Sequence, residues 1–159
     1  MKEDARFEDG GESPLRLKAL DADDLGVISA LVQDAVFPKS EMKWARKDRR
    51  FALFLNRFRW EDAPKAKAGA RDFERVQSVL VIEDVVKVQS SGIMPGESAV
   101  VMSLLSMAFE PGTDGMGRIV LTLAGDGVIA VEVEALEVVL RDVTRPYRAP
   151  SGKLPGHPD

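Results

Sequence analysis

Residues Arg49-Arg50-Phe51-Ala52-Leu53-Phe54-Leu55-Asn56-Arg57-Phe58-Arg59-Trp60 set apolar and aromatic side chains between two pairs of arginines. Successive side chains of a β-strand point to opposite faces. Phe51, Leu53 and Leu55 therefore share a side with Arg49, Arg57 and Arg59, and Phe54, Phe58 and Trp60 share the other. The middle of the segment is apolar on both sides. A strand of this kind, with a core from Phe51 to Leu55, belongs inside a layered fold and leaves only its end as a basic surface beside aromatic rings.

The remaining segments say what surrounds that strand. Leu15 to Leu20 reads as a short strand, followed by a helix in which Leu25, Ile28, Leu31, Val32, Ala35 and Val36 recur at three- and four-residue spacing. Asp21 or Asp23 caps its start and Pro38 ends it. Glu41 to Lys47 and Arg50 to Trp60 form two strands joined through Lys47-Asp48-Arg49. Ala63 to Ala70 carries Pro and Gly and few bulky apolar residues, which predicts an exposed connection. Val76 to Ile82 and Val85 to Ser90 are rich in β-branched residues, with a turn at Glu83-Asp84. Val100 to Phe109 reads as a buried strand, and Arg118 to Ala124 pairs with Val128 to Val133 across Gly125-Asp126-Gly127. Glu134 to Val143 fits a helical stripe or a Val-rich strand, and strand is the preferred reading. The order predicts an α+β domain over residues 14–143. One N-terminal helix packs on a curved, mostly antiparallel sheet of about 7–8 strands, with a pleckstrin-homology-like barrel as the most specific version. Residues 1–13 form a disordered acidic tail. Residues 144–159, with four of the nine prolines, form a Pro-rich disordered tail.

A chain of 159 residues buries roughly 68–70% of its unfolded surface as one domain, so it needs no covalent staple. It has no cysteine, which excludes disulfides, thiolate metal sites and cysteine nucleophiles and fits a cytoplasmic protein. Met1 to Pro14 lacks the basic and apolar regions of a secretory signal, and no run approaches the roughly 20 residues that span a bilayer. The net charge is −4, yet residues 39–75 hold 12 Lys/Arg against 6 Asp/Glu, while residues 1–38 hold 4 against 9 and residues 76–159 hold 6 against 11. Such segregation either directs an electrostatic surface or is neutralised within the fold.

Several segments together resemble the bacterial domain-of-unknown-function 2948 family. They are Leu20-Asp21-Ala22-Asp23-Asp24-Leu25 with Val27 to Ala30, Gln33 to Val36, Arg49 to Leu53 with Asn56-Arg57-Phe58 and Trp60-Glu61, and Val138 to Asp142. The resemblance spans residues 15–143 and implies a single-domain bacterial cytoplasmic protein with no assigned activity. Arg59 departs from the family pattern, in which an acid stands between Phe and Trp.

Catalytic signals are weak. The one histidine, His157, lies in the Pro-rich end, where nothing would fix a ligating or proton-transferring ring. Glu132 and Glu134 share a strand face, which polar alternation on a wet sheet face explains. Gly115-Met116-Gly117 and Gly125-Asp126-Gly127 lack the strand, lysine and helix of a phosphate loop and read as turns. No cofactor and no metal are expected. The candidate recognition surface is Trp44, Arg46, Arg49, Arg57, Arg59 and Trp60. A non-enzymatic interaction or structural module with a protein partner or as a homo-oligomer is the leading expectation. The alternative is RNA or another polyanion bound through the basic region 43–60. No membrane partner is expected.

Overall fold

Among the described residues every strand pairing is antiparallel, and one α-helix accompanies the sheet. The computed structural model describes residues 14–62, 74–93, 100–145 and 147–148. Strand β1 (Arg16–Ala19) leads into helix α1 (Ala22–Leu31). Asp21 caps that helix, its side chain accepting from the Asp24 N–H at 2.8 Å. Then come β2 (Ala35–Pro38), β3 (Met42–Ala45), β4 (Arg50–Phe58), β5 (Glu74–Ile82), β6 (Val85–Ser91), β7 (Val101–Pro111), β8 (Gly117–Leu123), β9 (Val128–Val133), β10 (Val138–Asp142) and β11 (Tyr147–Arg148).

The strand order is β1-β10-β5-β4-β2-β7-β8-β9-β6, with β3 beside β4 and β11 beside β5. The α+β class holds, but with eleven strands the sheet is larger than the expected 7–8. It is also open: β1 and β6 end the order, and a closed barrel would require pairing between them. Two half-sheets share one core. β5 passes directly into β6 across Glu83-Asp84, and β9 reaches β10 across residues 134–137. The corner is pinned by Glu83 N–H to Glu137 C=O at 3.0 Å, Glu134 N–H to Asp84 C=O at 2.9 Å and Val85 N–H to Arg49 C=O at 2.9 Å. Strands that switch halves at a corner let two faces enclose a common interior. Phe51, Leu53 and Leu55 of β4, Leu80 and Ile82 of β5, and Val138 and Leu140 of β10 line it from one side. Leu104 of β7, Ile119, Leu121 and Leu123 of β8, and Ile129, Val131 and Val133 of β9 line it from the other. Leu25 and Ile28 of α1 complete this cluster.

Three expectations are corrected. The helix stops at Leu31, because Asp34 turns the chain with φ 66 and Ala35–Pro38 becomes β2 on β7. Ala35 and Phe37 point inward, 0% and 1% exposed, a period-two pattern that the helical stripe had absorbed. β7 is not a wholly buried strand. It buries Leu104 and Met107, while Val101 is 63% exposed and the register shifts between Leu104 and Ser106. Phe54 belongs to the outward face of β4 and is 42% exposed, so the centre of that strand is core on one side only. The segment Glu134 to Val143 holds a strand, as preferred, but only over Val138–Asp142, with residues 134–137 forming the connection from β9, and no helix among the described residues is long and apolar enough to cross a membrane. The acidic tail, the whole of the 63–70 connection and His157 lie outside the described residues.

Candidate recognition surface

Alternation along β4 carries Arg57 to the inward face, in line with Phe51, Leu53 and Leu55, and its side chain is 0% exposed. A buried guanidinium requires counter-charges and acceptors. Arg57 donates from Nη1 and Nη2 to the two Glu61 carboxylate oxygens at 2.9 and 2.8 Å. It also donates to Asp142 Oδ1 at 3.1 Å from Nη2 and at 3.2 Å from Nε, and to Ser78 Oγ at 3.1 Å. Asp142 further accepts from the Ser78 hydroxyl at 2.8 Å and from the Leu15 N–H at 2.9 Å. This cluster ties β4, β5, β10 and the start of β1 at one end of the core. Burial alone would raise the Glu61 carboxyl, but the hydrogen bond and charge of Arg57 outweigh it and hold the group below the usual carboxylate range. Burial likewise works against the Arg57 cation, and Glu61 and Asp142 overcome it, raising its pKa.

The other expected site residues do not converge. Arg59 is 4% exposed and ion-paired with Glu74, with Glu61 at 3.8 Å. Trp60 is half-buried, stacks edge-on with Phe58 at 4.8 Å and donates its indole N–H to the Gln33 carbonyl at 2.9 Å. Trp44 packs against the core cluster, with the Arg46 guanidinium 5.9 Å from its ring centre. Arg49 adopts φ 57 at the β3–β4 turn and pairs with Glu134 at 2.6 Å. Glu132 lies in register between the cationic Lys87 and Arg118, and Glu134 pairs with Arg49. Among the described residues, no group of three His, Cys, Asp or Glu is placed to hold a metal ion. A shallow depression of about 370 Å³ over β6, β8 and β9 contains Glu110 and Arg118, which pair with each other at 2.6 Å.

A different surface emerges from the strand register. On the outward face of the half-sheet formed by β1, β10, β5 and β4, Arg16 stands directly opposite Arg141, Arg141 opposite Val79, and Val79 opposite Phe54. The next row runs Lys18, Val139, Val81, Ala52 and Lys43. Arg50 pairs with Glu83 at 2.9 Å and Lys18 with Glu137 at 3.5 Å at the margin. Arg16 and Arg141 are exposed and form no ion pair or hydrogen bond with an acid among the described residues. Like charges directly opposite on a sheet are destabilising. Here two such cations adjoin the buried Val79, the half-buried Val81 and Val139 and the exposed ring of Phe54, an arrangement suited to an anionic partner with an apolar side chain. Sequence reasoning missed this face because it depends on pairing two strands from opposite ends of the chain.

The family model for a protein of unknown function, DUF2948, matches residues 15–157. No curated protein and no solved structure matches the chain. The match covers both edges of the basic half-sheet, the helix and the buried arginine cluster, and the chain belongs to the DUF2948 family.

Proposed function

We propose that this protein is a non-enzymatic interaction module, acting as a single domain over residues 14–143, whose docking surface is the outward face of the β1, β10, β5, β4 half-sheet. The single observation that carries this reading is the row Arg16, Arg141, Val79, Phe54, in which two arginines without acidic partners among the described residues stand on one side of an exposed ring, across the buried Val79. The partner that fits is an acidic polypeptide segment bearing aromatic or aliphatic side chains: its carboxylates meet Arg16 and Arg141, and its apolar group covers Phe54. Single-stranded RNA is the second reading, since aromatic rings beside arginines serve bases and phosphates. It is the weaker one because Phe54 is the one aromatic ring on this face among the described residues, and because Trp44 and Trp60 pack elsewhere. A fluorescence anisotropy titration with a labelled peptide of alternating Glu and Phe, and in parallel with mixed-sequence single-stranded RNA, tests the choice across salt. Peptide binding that is weakened by Phe54→Ala supports the module. RNA binding with a steep salt slope and no peptide binding overturns it in favour of the alternative.

A further inference from the structure

The buried arginine cluster and the outward arginine pair are neighbours in the chain. Asp142 follows Arg141 in β10, and Leu15 precedes Arg16 at the start of β1. These two residues hold each other twice. The Leu15 N–H donates to Asp142 Oδ2, and the Asp142 N–H donates to the Leu15 carbonyl, both at 2.9 Å. The Asp142 carboxylate is buried and is fixed in turn by Arg57 Nη2 at 3.1 Å and by the Ser78 hydroxyl at 2.8 Å. Its orientation is thus set from β4 and β5, on the side of β10 away from β1.

Strand β1 needs such a hold. It has four residues, ends the sheet order and pairs with β10. Its first register pair sets Arg16 directly opposite Arg141. Like charges directly opposite favour separation of the strands, and the ends of short strands open at low cost. The two bonds between Leu15 and Asp142 lie one residue beyond that pair, so this end of β1 lifts from β10 only by breaking them. One of the two is charge-assisted, which makes it the stronger kind.

Resting on the reading above, we infer that Asp142 is the positioning residue of the docking face: through Leu15 it holds Arg16 in register with Arg141 against their mutual repulsion. The partner then meets two arginines whose backbones already stand one strand spacing apart, about 4.8 Å. Such preorganisation removes the cost of ordering β1 from the binding step. The inward cluster therefore acts on the outward surface without touching the partner. Coupling of this kind is reciprocal, so a bound partner slows opening of the Leu15 and Asp142 pair.

Two variants remove the hold in different ways. Leu15→Pro deletes the N–H donor and leaves Arg57, Ser78 and Asp142 in place, and proline is tolerated at the start of an edge strand. Asp142→Ala deletes the acceptor while Glu61 stays on Arg57. Each should weaken binding of the Glu and Phe peptide about three- to tenfold, the scale of one hydrogen bond. In an Arg16→Gln background neither should weaken it further. A loss that adds fully to that of Arg16→Gln would give Asp142 a general structural role and overturn the inference. Hydrogen exchange at the Asp142 amide is the second readout, independent of how well the two variants fold. It should slow about two- to fivefold in Arg16→Glu, where the repulsion is gone, and should slow in the natural chain on saturation with peptide. Exchange that neither change slows would overturn the inference as well. Peptide binding to the natural chain that Leu15→Pro and Asp142→Ala both leave unchanged overturns the positioning role and leaves the docking face standing. Absence of peptide binding to the natural chain overturns the two together.

Discussion

Two sets of arginines in this molecule have opposite surroundings. Arg57 and Arg59 lie at the end of β4 with 0% and 4% exposure, saturated by Glu61, Glu74, Asp142 and Ser78. Arg16 and Arg141 face each other across two strands in solvent with no acid attached among the described residues. The first pair sits in the sequence block richest in positive charge, and the second lies outside it. Local charge density is therefore a poor guide to where charge is available. A guanidinium taken inside the fold must bring its counter-ions with it, whereas one placed on a sheet face depends on which strand register puts beside it.

The largest effect that separates the two sets is on stability. Arg57→Ala leaves the buried Asp142 without its cation and Glu61 with only the more distant Arg59, and should cost about 3–5 kcal/mol, measured by urea unfolding. A loss below about 1 kcal/mol, the range of exposed pairs, would break the comparison. Within the same strand, Phe51→Ala on the inward face should cost about 3–5 kcal/mol, and Phe54→Ala on the outward face much less. Equal costs would show that the outward face is packed in solution.

The acid range gives a smaller and more specific difference. The Glu61 carboxyl is held below its ordinary value in the folded state. Its contribution is thus complete above the unfolded value of about 4.3 and is lost as pH falls through the lowered folded value. Thermal melts from pH 6 to pH 3 should show a steeper decline for the natural chain than for Glu61→Gln. Parallel curves would contradict the pairing. Smallest of all, Arg16→Glu turns a like-charge pair with Arg141 into an opposite one and should stabilise by about 0.2–1 kcal/mol. Destabilisation would mean that Arg16 already has a partner.

Much of this architecture was legible in the sequence. Period-two alternation located β4, β-branched composition located β5 and β6 and favoured a strand over a helical stripe at β10, Gly125-Asp126-Gly127 marked the β8–β9 hairpin, where Gly125 and Asp126 take positive φ, and Asp21 or Asp23 announced the helix start that Asp21 caps. The helix end was not legible, since Ala35 and Phe37 satisfy a strand as well as Ala35 and Val36 satisfy a helical stripe. The site was harder. Arg57 shares its face with Phe51, Leu53 and Leu55, and that alignment was readable. Its burial depends on Asp142 and Ser78 from strands far along the chain. Arg16 and Arg141 carried no local signal at all, because only the β1–β10 register makes them neighbours. Family membership was the part most fully carried by the sequence, with the matched region extending to residue 157.

The central claim is that the outward arginines serve a partner and the inward ones serve the fold. Titration of the labelled Glu and Phe peptide against the natural chain and against Arg16→Glu with Arg141→Glu, at matched thermal midpoints, tests it most directly. The account predicts at least a tenfold loss of affinity, about 1.4 kcal/mol, with unchanged stability. Equal affinity in the two proteins would contradict it.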